Sequence, residues 1–366
     1  MQTRFSVKAS SQPIKDQRRY APRAGGPDYR RVSRNLALDL VRVTEAGALA
    51  GARWLGKGDK EGADQAAVDA MRHVLSFVPM RGTVVIGEGE KDEAPMLFNG
   101  ESVGDGTGDA MDVAVDPLDG TRLTAFGRDG ALSVIAIAPE GSLYDPGPVM
   151  YMDKLAVQKK AAEFVDLGNT VEENIRGVAL ALEKEIDDVT VVMLDRPRHA
   201  ELLKRCREAG ARIKLITDGD VEASVAAATP STNVDLMLGI GGTPEGVISA
   251  TALRCMGAKF QGRLSPRDDA EKNKAIQLGY TFDTILNIED LCKSGDVFFA
   301  ATGVSNGDLL KGVQFDANGA VSYSIVMRSA SGTIRYMETH HQWEKQTLQE
   351  IGVVDPRRVH QGSKSV

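Results

Sequence analysis

Apolar residues first recur at helical spacing at Leu36, Leu40, Val43, Ala46 and Leu49, which predicts a helix over 35–54. A glycine-bearing loop over 56–62 leads to a second predicted helix over 63–78, carried by Ala67, Met71, Val74 and Leu75. The pattern then changes to short β-branched runs. Strands are predicted over 83–86, 111–115, 131–138 and 151–157, where Val113 and Val115 alternate with smaller or polar neighbours. Two helices followed by closely spaced strands predict an α+β layer. Beyond Leu167 the rhythm becomes strand and helix in turn. Thr170-Val-Glu-Glu173 has the form of a capping box and opens a helix to about 185. Strands over 189–194, 212–217 and 234–240 then alternate with helices over 198–209, 221–228 and 244–256, which predicts a second, mostly parallel sheet. The run 297–301 is assigned as the last strand of that sheet, and 322–327 and 333–336 as strands returning to the first layer.

At 366 residues the chain exceeds the usual size of one core. The expected division is a basic flexible arm over 1–34, a metal- and phosphate-binding α+β unit over 35–167, a second α/β unit over 168–301, the returning strands over 302–339 and a polar tail over 340–366. Charge separates the arm from the body. Residues 1–34 carry nine Lys or Arg against two Asp, a net +7, so the whole-chain −7 leaves −14 on the remainder. An acidic body argues against a nucleic-acid-binding core, because phosphate backbones need clustered cations. It suits a protein that holds divalent ions. No apolar run approaches the ~18 residues that span a bilayer, so no membrane is expected. Cys206, Cys255 and Cys292 are odd in number and far apart, which points to a reduced, cytoplasmic setting and to neither a disulfide frame nor a thiolate metal site.

The chemistry gathers where predicted strands end. Met111 to Val115 runs into Asp116-Pro-Leu-Asp-Gly-Thr121. Pro117 has no N–H for a ladder, so the strand is predicted to stop there. Two carboxylates three residues apart are then held on a rigid turn, with Gly120 and Thr121 placed to open a helix whose free amides face an anion. Hard oxygen ligands beside backbone donors are what a divalent metal and a phosphate require. The other strand ends give Glu88 and Glu90, Arg196 and Arg198, Asp218 and Asp220, and Glu245 at a helix start. Crowded carboxylates repel unless cations sit among them, and each arginine offers a two-pronged fork to a phosphate. Gly239 to Gly246 partly mimics a dinucleotide loop but lacks the third glycine at the right step. A dinucleotide-dependent oxidoreductase is the alternative from a different class, with a non-catalytic sugar-phosphate sensor as a third. The five histidines form no metal spacing, and His199 reads as a hydrogen bonder at a helix start.

Eight segments occur together in one order: Gly58 to Asp64, Ile86-Gly-Glu-Gly-Glu90, Asp92 to Met96, Val115 to Thr121, Tyr151 to Leu155, Arg196-Pro-Arg-His199, Asp218-Gly-Asp220 and Gly241-Gly-Thr-Pro-Glu-Gly246. Through them the chain resembles the class II fructose-1,6-bisphosphatases of the lithium-sensitive sugar and inositol phosphatase superfamily. The resemblance covers about four-fifths of the chain. It implies a layered αβαβα sandwich and an enzyme of gluconeogenesis, using Mg2+ or Mn2+ to remove the C1 phosphate of fructose 1,6-bisphosphate. It implies metal ligands at Asp64, Glu88, Asp116, Asp119 and Glu245. Substrate contacts would fall on Asp119, Gly120, Thr121, Tyr151, Arg196, Pro197, Arg198, Asp218, Gly219, Asp220 and Gly242. Thr121, Glu90 and Asp119 are the catalytic candidates, with Thr121 orienting the attacking water and Glu90 as a base behind the ligands. A homo-oligomer, dimer or tetramer, acting on a small sugar bisphosphate is expected. Leu118-Asp119 stands where forms that also accept sedoheptulose 1,7-bisphosphate often read Cys-Glu, which favours the fructose substrate. Another phosphatase of the superfamily, acting on an inositol phosphate, is the alternative among enzymes.

Overall fold

The computed structural model describes residues 36–89 and 96–342. It opens with α1 (Leu36–Ala52) and α2 (Lys60–Leu75). The second helix starts earlier than its apolar pattern predicts, because the Asp59 carboxylate caps it by accepting the Gly62 amide at 2.9 Å. Then come β1 (Arg81–Ile86), β2 (Ser102–Val103), β3 (Ala110–Asp119), the short α3 (Thr121–Ala125), β4 (Leu132–Pro139) and β5 (Tyr151–Val157). The alternating stretch holds α4 (Val171–Leu182), β6 (Thr190–Leu194), α5 (Ala200–Glu208), β7 (Arg212–Ile216), α6 (Asp220–Ala227), β8 (Leu236–Gly242) and α7 (Thr243–Met256). It is followed by β9 (Lys259–Ser265), α8 (Asp269–Gln277), β10 (Leu286–Asn287) and α9 (Ile288–Leu291). Four strands close the order: β11 (Phe298–Gly303), β12 (Gln314–Phe315), β13 (Gly319–Arg328) and β14 (Thr333–Gln342). The capping box at the start of α4 forms, Thr170 Oγ1 accepting the Glu173 amide at 3.2 Å while Glu173 Oε2 accepts the Thr170 amide at 2.8 Å.

The strands form two sheets. One has eight strands in the order β12-β13-β11-β4-β3-β1-β2, with β14 also on β13; the other has six, in the order β10-β9-β5-β8-β6-β7. Three expectations need correction. The strand at 151–157 lies in the six-stranded sheet, antiparallel between β8 and β9. The strand near 297–301 lies in the eight-stranded sheet, antiparallel to β4 and β13. The second sheet is also mixed, since β6 runs parallel to β7 and β8 while the other three pairings are antiparallel. Which sheet a strand joins is decided by partners distant in sequence, and neither stretch carries a local mark of it. β9 in turn was hidden because Gly262 interrupts its alternation, and the Met152 side chain fills the space a Cβ would take there.

Side chains of opposite parity along these strands face opposite layers. Val113, Val115, Ile135, Ile137 and Phe298 pack under Leu40, Val43, Met71 and Leu75 of α1 and α2. On the reverse of the same sheet, Ala114, Val134, Ala136 and Phe299 meet Val221, Val225, Val247 and Ile248 of α6 and α7. Those two helices also meet Met152, Met237 and Phe260 from the six-stranded sheet. The far face of that sheet, Leu155, Val157, Val191 and Met193, is covered by Ile175, Val178 and Cys206 of α4 and α5. Helices, sheet, helices, sheet, helices: this is the αβαβα sandwich. Burying each such Leu, Ile or Val side chain contributes about 1.5–3 kcal/mol.

The arm over 1–34, Glu90 and most of the expected tail lie outside the described residues, although β14 continues to Gln342 and so takes in His340 and His341. Among the described residues no helix is long and apolar enough to cross a membrane.

Candidate active site

β3 passes through Pro117 instead of stopping there. The missing amide is absorbed by a bulge, with Asp116 opposite Val134 and Asp119 opposite Leu132 on β4. Asp116 Oδ1 turns back to accept the Leu118 amide at 3.1 Å. β1 runs parallel to β3, so Glu88, just past its end, comes beside this bulge. Asp64 arrives from the start of α2, and Glu245 from the first turn of α7. Together Asp64, Glu88, Asp116, Asp119 and Glu245 line one cleft of about 440 Å³, with Lys60, Gly120, Thr121 and Asp218 among the other walls.

Crowding shows in the protonation of these groups. Burial raises the Glu88 carboxyl to about 7, with Asp64 and Glu245 adding repulsion. Asp116 is pushed well up by burial and then by Asp119, Glu88, Glu245 and Asp64. Asp119, 4% exposed, is raised by burial and by Asp220, Asp218 and Glu245. Burial and Asp220 raise Glu245, while the Lys154 ammonium draws it partly back. Asp116 thus feels the other four acids, whereas burial alone raises Asp64. Burial also lifts Glu222, nearby on α6, to about 7.

Gly120 sits at φ 95 before α3, a left-handed turn where a Cβ would press on Ala131 and Leu123. The turn delivers Thr121, whose hydroxyl lies 3.2 Å from both Asp64 Oδ1 and the Leu118 carbonyl. Asp218, at the cleft wall, accepts the Arg122 amide and feels the Arg196 guanidinium.

The remaining candidates stand to one side. Tyr151 pairs with Gly242 across β5 and β8, and Arg198 lies over its ring at 4.8 Å while donating to the Ile240 carbonyl at 2.7 Å. Arg196 and Pro197 precede them at the end of β6. His199 is fully engaged: Nε2 accepts the Ile240 amide at 2.7 Å, which leaves the Nδ1 proton for the Leu194 carbonyl, also at 2.7 Å. Burial lowers its pKa, and it is a hydrogen bonder at a helix start as the sequence predicts. Asp220 follows Gly219 and turns inward, where its Oδ2 is bound by Lys154 Nζ at 2.7 Å.

The profile of the family described as bacterial fructose-1,6-bisphosphatase, glpX-encoded, matches residues 34–341. The chain belongs to this family. It is 44% identical over 323 residues to "Fructose-1,6-bisphosphatase class 2" of Haemophilus influenzae, an alignment covering 85% of this chain and 97% of that relative. It is also 44% identical over 331 residues to "D-fructose 1,6-bisphosphatase class 2/sedoheptulose 1,7-bisphosphatase" of Synechococcus sp. strain JA-3-3Ab, covering 84% of this chain and 95% of the relative.

For a divalent cation the donor chemistry fits. Seven carboxylates line the cleft, the five expected ligands together with Glu61 and Asp218, and these are hard oxygen ligands suited to Mg2+ or Mn2+. Glu245 Oε2 is buried without a hydrogen-bond partner, and only a glycine at 242 leaves room for that carboxylate. Among the described residues no three His, Cys, Asp or Glu side chains are gathered closely enough to hold an ion as they stand, and the carboxylates are distributed along the cleft walls.

Lys154 is the residue that sequence reasoning missed. It is fully buried, between Asp220 and Glu245, on the strand face it shares with Met152 and Ala156. A lysine at a core-facing position of an alternating strand was the available signal.

Proposed function

We propose that this protein is a metal-dependent phosphatase that hydrolyses the C1 phosphate of fructose 1,6-bisphosphate to fructose 6-phosphate and phosphate. The observation that carries the reading is the convergence of Asp64, Glu88, Asp116, Asp119 and Glu245 on one cleft. Family membership and the names of the relatives support the same substrate. Phosphate monoesters hydrolyse extremely slowly unaided, so the site must stabilise charge strongly. In this reading the five carboxylates hold Mg2+ or Mn2+, which when bound would polarise the phosphoryl oxygens and acidify a water.

The chain's own groups do the rest. Thr121 Oγ1 donates to Asp64 Oδ1, which leaves its lone pairs to accept a hydrogen bond from the attacking water and fix its line of approach. The left-handed turn at Gly120 brings the backbone against the reacting phosphate without a side chain between them. Arg198, stiffened by Tyr151 and Ile240, and Arg196 beside Asp218 take the distal 6-phosphate, so binding far from the reaction orients the reacting end. Pro197 sets the turn between the two arginines. Glu90 keeps its expected role as a base behind the ligands. The three cysteines are unpaired, in keeping with work in the cytoplasm.

The test is phosphate release by the purified chain from fructose 1,6-bisphosphate, sedoheptulose 1,7-bisphosphate and an inositol monophosphate, with Mg2+, Mn2+ or a chelator. Release from the fructose substrate that the chelator abolishes is expected, and activity confined to the inositol phosphate would refute the reading. Lithium, set against sodium at equal ionic strength, tests the superfamily placement. A cation of similar size but lower charge occupies a hard carboxylate site without stabilising the reaction, so inhibition is expected.

A further inference from the structure

We infer that Glu222 is a positioning residue: it clamps the segment after β11 to the start of α6 and thereby keeps Asp119 aligned. The inference rests on reading Asp119 as part of the reacting centre. Glu222 is an acid only 4% exposed, at a position where an apolar residue would cost less to bury. Its carboxylate reaches loop backbone. Oε1 accepts the Asp308 amide at 2.7 Å and the Leu309 amide at 3.2 Å. On its other side the Glu222 backbone amide donates to Asp119 Oδ2 at 3.4 Å. One residue therefore touches both the loop and the carboxylate.

The loop that Glu222 holds is already sewn to the first sheet. Val304 and Ser305 donate to the Ala131 carbonyl at 2.9 and 3.2 Å, and the Ala131 amide returns to Ser305 Oγ at 3.0 Å. The Gly130 amide reaches the Asn306 carbonyl at 2.6 Å. α6 is fixed from beneath by Asp220 and the buried Lys154. Between these two anchored parts Glu222 supplies the bond that crosses, and Lys214 steadies the loop from the edge strand β7 through Asp308. Gly307 leaves space for it, since a Cβ there would press on Glu222 Oε1. Removing the acceptor strands two inward-facing amides. The loop must move to satisfy them, and the first turn of α6 loses its brace. Asp119 then keeps its charge but loses its alignment, which affects turnover more than substrate binding.

The experiment compares wild type with Glu222→Ala, Glu222→Gln and Gly307→Ala, all as full chains. It reads kcat and KM for fructose 1,6-bisphosphate at saturating metal, and metal-free hydrogen exchange of peptides over 304–312. The alanine variant at 222 is expected to lose about tenfold in kcat with KM within about twofold, and to exchange faster over 304–312. Glutamine keeps an acceptor at the same place and restores both readings. Gly307→Ala, which crowds the clamp from the loop side, reproduces the kcat loss and guards against a Glu222→Ala chain that does not fold. Normal kcat in Glu222→Ala despite faster exchange overturns the inference, as does a glutamine variant as impaired as alanine. Unchanged exchange in the alanine variant overturns the clamp alone. A wild type without metal-dependent phosphate release overturns the functional reading and the positioning role with it.

Discussion

Asp116 sits where the bulge in β3 turns the chain toward the cleft, its Oδ1 tied to the Leu118 amide. Asp116→Asn keeps that acceptor and removes only charge, so the fold should survive while kcat drops by roughly a thousandfold. Near-normal turnover at saturating Mg2+ or Mn2+, with an unchanged circular dichroism spectrum, would remove Asp116 from the site. Division of labour between the two ends of the substrate is testable in the same way. Arg198→Ala should raise KM, because a distal anchor acts in ground and transition states alike, whereas Thr121→Ala should lower kcat. If both variants shift both constants equally, the reacting and distal ends are wrongly assigned. Much at this scale was legible. Acids at strand ends mark themselves by type and spacing, and all but Glu90 of the expected ligands and catalytic groups fall on described residues lining the cleft. Lys154 and its pairing with Asp220 were less legible, because a contact between β5 and α6 leaves no trace in local spacing.

Elements announced themselves where local chemistry decides them. The capping box of α4 and the strand-helix alternation from β6 to α7 follow from short-range rules, and these elements appear close to their predicted places. Sheet membership does not follow, because the partners of β5 and β11 lie far away in sequence. Between α4 and α5 a surface pair offers a pH test. Arg205 donates to Glu172 at 3.0 and 2.7 Å, and this bonding lowers the Glu172 carboxyl from 4.5 to about 2. A carboxyl depressed in the folded state contributes stability that is complete above its unfolded value and is lost as pH falls from about 4.5 towards 2. Glu172→Gln should therefore flatten the acid limb of stability against pH in that window and leave the neutral region nearly unchanged. Parallel acid-unfolding curves for the two proteins would show that the pair is inert, as many exposed pairs are.

At the scale of the whole molecule, the family match begins at residue 34 and the proposed chemistry begins at Asp64. Deleting residues 1–33 should leave kcat and metal dependence unchanged. We propose that the net +7 on residues 1–34, set against −14 on the rest, acts between copies of the chain. Sizing of intact and truncated chains at low and high salt should show a salt-dependent difference in assembly. A truncated chain of unchanged size without activity would instead bring the arm to the site.

The placement of β11 between β4 and β13 also bears on how the protein is made. As the ribosome extends the chain, β4 emerges with its edge from Leu132 to Ile137 bare, and its partner Phe298–Gly303 is synthesised only much later. At ordinary elongation rates the wait is roughly ten to thirty seconds. Through that interval an apolar strand edge and the underside of α1 are open to other nascent chains. Ribosome-arrested chains ending before residue 298 should therefore bind holdase chaperones and be cut rapidly by protease, and the released full-length chain should lose both properties together.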